Sequence, residues 1–271
     1  MIDWRLMARP QADGYDTEQL IPLALERYGW AKTTPAAGAT TWADRTVTVI
    51  QPTERQGAHA VPAALDHPNI ELAAEMLFNV WPAMYTQCQN LLESITVYID
   101  ETTREFPNQT GCSCGPVGDR VSFQISTTIN GAIGMLEGVV HEMGHSKLKP
   151  MGMSMYHWAR LLANELPTAD AIESGVGENL YASPIRKDKL RPLGACFSAH
   201  YSYLHVAELL QRIVRSGVEQ ADQLAAWLEV MCGRIRVGEQ LVADHVQPTE
   251  EGVPFFAACT EWADELLSFE A

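Results

Sequence analysis

Residues 132–148 read AIGMLEGVVHEMGHSKL. Ile133, Leu136, Val139, Val140 and Met143 recur at helical spacing, which predicts a helix from about Ala132 to Lys147 with a broad apolar face. Inside it, His141 and His145 stand four residues apart, so their imidazoles lie one turn apart on one helix face. That spacing lets two rings reach a single metal ion, and Glu142 stands beside them, where a carboxylate can act on a metal-bound water.

Working outward, short β-branched runs precede this helix and helical patterns follow it. Val47–Ile50 and Ile95–Ile99 are expected strands, and Val121–Ile125 alternates as a half-buried strand does. An acidic start at Asp16-Thr17-Glu18 opens a helix that ends near Gly29, and Asn69 to about Ser94 is a helical region interrupted at Pro82. Residues 101–119 lack periodicity, carry Cys112 and Cys114, and are expected to form a long loop, a kind of segment that is often functional. Downstream, helices are expected near 155–164 and over 197–215, 220–243 and 255–269, with an irregular stretch over 166–193. The fold class expected is α+β and predominantly α-helical: a small antiparallel sheet packed against a helical bundle that carries the HExxH helix. No repeat or linker divides the chain, so residues 1–271 are expected to form a single catalytic domain.

Composition narrows the function. The chain has 271 residues, with 19 Lys+Arg against 34 Asp+Glu and a formal net charge of −15. Such an acidic surface repels phosphate backbones and anionic lipids, so neither nucleic acid nor membrane is expected as a partner. No apolar run approaches the ~18 residues of a membrane span. The N-terminal residues lack a signal-peptide core, and the six cysteines are scattered rather than framework-like, so a reduced, cytoplasmic protein is expected.

Two helix histidines need a third donor to make a catalytic metal site. A metzincin pattern would place Gly and His at positions that hold Leu148 and Met151, which excludes that class. A gluzincin pattern would offer a Glu about twenty residues past the second His. Glu165 falls there, with Asp170 available to orient a ligand. This gives one reading, a zinc metallopeptidase in which His141, His145 and Glu165 hold Zn and Glu142 is the general base. The edge of a strand at Val121–Ile125 would then pair with an extended substrate. His200 and His205, on a later helix, are the histidine alternatives for the third ligand. They point to different faces, so at most one can reach the metal.

The chain also resembles a known family. The order Val139-Val140-His141-Glu142-Met143-Gly144-His145-Ser146-Lys147-Leu148, then Ser183-Pro184-Ile185-Arg186, then Arg191-Pro192-Leu193-Gly194, then a His-containing aromatic helix, is similar to the HExxH-domain family of ribosomal-peptide (RiPP) modification enzymes. The resemblance covers about residues 121 to 210. It implies a non-haem iron, 2-oxoglutarate-dependent dioxygenase that hydroxylates a side-chain β-carbon of a precursor peptide, with 2-oxoglutarate and O2 as co-substrates. It further implies Fe(II) held by His141, His145 and a later histidine, most plausibly His200, with His205 the alternative. Arg191 and Arg186 are the candidates it offers to hold the distal carboxylate of 2-oxoglutarate, a task that suits a planar guanidinium. Glu142 then has no obligatory role as a base.

Overall fold

The computed structural model describes residues 1–56, 58–102, 113–114, 121–154, 160–184, 188–217 and 221–269. The N-terminal part places a short 3-10 turn at Leu6–Ala8, α1 at Tyr15–Tyr28, β1 at Thr41–Trp42, β2 at Val47–Ile50 and β3 at Ala60–Pro62. Two helices follow, α2 (Pro68–Val80) and α3 (Pro82–Leu91), then β4 (Ser94–Asp100), β5 (Ser113–Cys114) and β6 (Gln124–Thr128). The C-terminal half is helical, with α4 (Ala132–Leu148), α5 (Ala169–Ser174), α6 (Leu193–Arg215), α7 (Ala221–His245) and α8 (Gly252–Leu267). A small ribbon of β7 (Leu180–Tyr181) and β8 (Arg191–Pro192) lies between α5 and α6. The class is α+β and mostly helical, as the sequence indicates.

The main sheet differs from the expected antiparallel one. Its order is β1-β2-β4-β6-β5, with β3 also on β4. The central pairs β2–β4 and β4–β6 are parallel; only β1, β3 and β5 join antiparallel. The chain crosses through α2 and α3 between β2 and β4, and such a helical crossover returns the chain to the same end of the sheet. The third strand begins at Gln124 rather than Val121 and lies between β4 and β5, so it offers no free edge where β5 covers it. Near 160–164 the chain is not helical: Leu162 bridges Pro248, and the backbone N–H of Ala163 donates to the Gln247 carbonyl. Residues 155–159 of that expected helix, with Trp158, lie outside the described residues, as do Arg186, Cys112 and the Cys114 side chain.

The α4 helix runs through the centre of the molecule. All but two of its residues, His141 and His145, are buried, as befits a helix with partners on every side. It packs against β6 and α2 on one side and α6 on the other, while α6 packs in turn against α7. Gly144 sets the approach of α4 to α6, because a Cβ there would stand 2.9 Å from Ser202 Cα.

The far end of α4 is anchored by a buried ion pair. Lys147 Nζ lies 3.0 Å from Asp16 Oδ2, and both side chains are nearly inaccessible to solvent. Gln87 Nε2 donates to the same oxygen at 2.6 Å and the Gln11 backbone N–H to Oδ1 at 2.9 Å. These extra donors complete the shell of the carboxylate, which a buried charge requires. Among the described residues, no helix is long and apolar enough to cross a membrane.

Candidate metal centre

His141 and His145 project from the middle of α4 toward α6. Their Nε2 atoms are 3.1 Å apart, and the rings meet edge to face at 4.7 Å between centroids. Two nitrogens each bonded at about 2.1 Å to one ion and separated by that distance would subtend roughly a right angle, so the pair fits a shared metal. The Glu142 carboxylate is buried, with Oε1 4.0 Å from His141 Nε2. One ligand atom from each of His141, Glu142 and His145 lies within 4.8 Å of the others, which makes them a group able to hold a metal ion.

The surroundings favour neutral imidazoles with free lone pairs. Burial pushes the His145 pKa well below its usual value, helped by the nearby His141, Lys149 and His205. Burial also lowers that of His141, opposed by Glu142 and reinforced by the charge of Arg234. Behind His145, Ser198 Oγ lies 2.7 Å from Nδ1. In the tautomer a metal needs, Nδ1 donates its proton to Ser198 and Nε2 is left free for the ion, the usual way such a ring is oriented. The Tyr203 ring packs edge-on against His141 at 5.4 Å.

The expected third ligands stand elsewhere. His200 is roughly 200° around α6 from Ser198, so it faces α7 rather than α4. Its Nε2 is 2.8 Å from Glu239 Oε1, and its ring lies flat enough on α7 that a Cβ at Gly238 would fall 2.1 Å from Nδ1. His205 does face α4, with Nδ1 3.2 Å from the position of a Gly144 Cβ. That nitrogen donates to the Tyr201 carbonyl at 2.9 Å, and the ring packs against Tyr201 and Trp262. Glu165 and Asp170 are exposed. Arg191 is engaged with Asp188, its Nη2 lying 2.9 Å from both carboxylate oxygens. Among the described residues, the three-donor group is therefore His141, Glu142 and His145, without His200, His205 or Glu165.

Sequence reading missed a second layer behind the imidazoles. Glu137, one turn before His141 on α4, accepts from Trp227 Nε1 at 2.7 Å, while its other oxygen is buried without a partner. Burial raises its pKa to about 7 against the opposing pull of Trp227 and Arg234. Arg234 Nη1 donates to Tyr203 Oη at 2.9 Å. One signal for this cluster was present in the sequence: an acid at the i−4 position of His141, on an otherwise apolar turn.

No protein-family model and no curated protein matches this sequence.

Proposed function

We propose that the chain is an Fe(II)- and 2-oxoglutarate-dependent oxygenase that hydroxylates a side-chain β-carbon of a ribosomally made precursor peptide. The observation that carries this reading is the donor set. Two imidazoles and one carboxylate converge within 4.8 Å, the combination that suits a non-haem Fe(II) centre with open positions for a keto acid and a gas. The order of motifs over residues 121 to 210 supports the peptide as substrate.

Iron and the keto acid together would supply the oxidising power. The chain's own residues prepare the place for them. Ser198 fixes the His145 tautomer, burial keeps both imidazoles unprotonated, and Glu142 offers the oxygen donor. The packed faces of α4 and α6 exclude bulk water from the inner side of the pair. The zinc peptidase alternative would need Glu165, which lies exposed and outside the group.

The test is anaerobic loading with Fe(II) and 2-oxoglutarate, admission of oxygen, and measurement of succinate and of candidate peptides by mass spectrometry. The expected result is succinate release that requires Fe(II), with a peptide gaining one oxygen. Glu142→Ala should weaken iron binding, because it removes the oxygen donor of the group. Peptide cleavage with zinc, abolished in Glu142→Gln at unchanged zinc affinity, would overturn the reading in favour of the peptidase.

A further inference from the structure

The two imidazoles of the centre are oriented by different means. His145 has Ser198 Oγ 2.7 Å from its Nδ1. Among the described residues, every polar contact of His141 is instead made through Nε2, to His145 and Glu142. The lone pair that binds a metal lies in the plane of the imidazole, and the χ2 torsion that sets this plane has only a broad preference of its own. A ligand ring is therefore usually held by a hydrogen bond to its other nitrogen. His141 has to be held in another way.

A path of contacts leaves α4 and returns to it at this ring. Glu137, one turn before His141, accepts from Trp227 Nε1 at 2.7 Å. Arg234, two turns after Trp227 on α7, has its guanidinium carbon 5.3 Å from the Trp227 ring centroid and 5.2 Å from that of Tyr203, within the range of cation–π attraction to both. Its Nη1 donates to Tyr203 Oη at 2.9 Å. The Tyr203 ring, on α6, then meets the His141 ring at 5.4 Å between centroids with 79° between the planes. Aromatic rings favour such a crossed arrangement, and the attraction weakens when either ring turns. Glu137, Trp227 and Tyr203 are all buried, so water does not readily replace these contacts.

We propose that Tyr203, anchored by Arg234, is the positioning residue of His141: its ring holds the imidazole plane at the angle that aims Nε2 toward the cation shared with His145. Ser198 and Tyr203 both stand on α6, so one helix orients both imidazoles, the first by a hydrogen bond and the second by ring packing. Arg234 and Trp227 act one step further back, keeping the Tyr203 ring from turning. The proposal rests on His141 being a metal ligand and holds for either reaction that the metal could support.

The experiment compares the full chain with Tyr203→Leu, Tyr203→Phe and Arg234→Met. Co(II) affinity is measured by chelator competition, coordination geometry by the visible ligand-field bands of bound Co(II), and ring motion by NMR relaxation of the labelled histidines in the metal-free chain. Tyr203→Leu should lose about tenfold in Co(II) affinity, with shifted bands. Tyr203→Phe keeps the crossed ring but not its anchor, and Arg234→Met removes the anchor alone, so each should lose roughly threefold. In all three the His141 ring should gain motion while the His145 ring, held by Ser198, does not. A role in packing alone would lower the melting temperature and leave the bands and the His141 motion as in wild type, and that result would overturn the proposal. Should Tyr203→Leu fail to fold, Tyr203→Phe and Arg234→Met decide by the same readouts. Co(II) bound by wild type and equally by the variants removes Tyr203 from its role and leaves the metal centre standing, whereas a wild type that binds no Co(II) overturns both.

Discussion

At the scale of single residues, the ring of His145 is held from both ends. Nε2 faces His141, and Nδ1 faces the Ser198 hydroxyl at 2.7 Å. Removing that hydroxyl leaves the tautomer unfixed, so Ser198→Ala should weaken metal affinity about 10- to 100-fold, read by competition with a coloured chelator. An unchanged affinity would mean that the serine is only a neighbour. Asp16 makes a different kind of contribution. The sequence shows it as an acid in the first turn of a helix, and it is that. Its partner, Lys147, is 131 residues away, and no periodicity announces such a pairing. Asp16→Ala would strand a buried ammonium and should cost about 3–5 kcal/mol of stability, measured by urea denaturation. A loss below ~1 kcal/mol would show that the lysine finds water or another acid.

At the scale of elements, α4 and α6 touch where Gly144 leaves room. Gly144→Ala would force Ser202 Cα and the His205 ring to give way, and overpacking of this kind costs about 1–3 kcal/mol. Because α6 also carries Ser198, the same substitution should lower metal affinity, so thermal unfolding and chelator competition should move together. Stability falling with metal affinity intact would show that the helices separate without disturbing the imidazoles. The helices were legible because their apolar spacing is local: α4, α6, α7 and α8 appear within a few residues of their expected limits. The strand order was not, because whether β2 and β4 run parallel depends on the path of α2 and α3 between them rather than on either strand. The third-donor question was hidden for a similar reason. His200 and His205 differ only in which face of α6 they occupy, and that face is fixed by how α6 docks between α4 and α7.

At the scale of the whole molecule, one buried histidine and two half-buried ones shape the response to acid. His141, His145 and His205 all have folded pKa values below 6.5, chiefly from burial. The unfolded chain therefore binds more protons below that pH, and their contribution to stability, fully present above it, is lost as the pH falls toward the folded values. Glu137 acts with the opposite sign. Its pKa rises from 4.5 to about 7 on folding, so the stability it contributes is present below 4.5 and lost as the pH rises through 7. Thermal melts of the metal-free chain should fall steeply below about pH 6.5, and less steeply in His205→Asn if that variant folds. A flat profile from pH 7 to 5 would contradict the lowered pKa values of these rings. Metal binding should share this acid limit, because the ion and the proton compete for the same lone pairs. The central claim is that His141 and His145 jointly hold one cation, and the most direct measurement is equilibrium binding of Fe(II) under anaerobic conditions to wild type, His141→Ala and His145→Ala. One ion per chain in wild type, with binding lost in both variants, is the predicted result; binding that survives either substitution unchanged would contradict it.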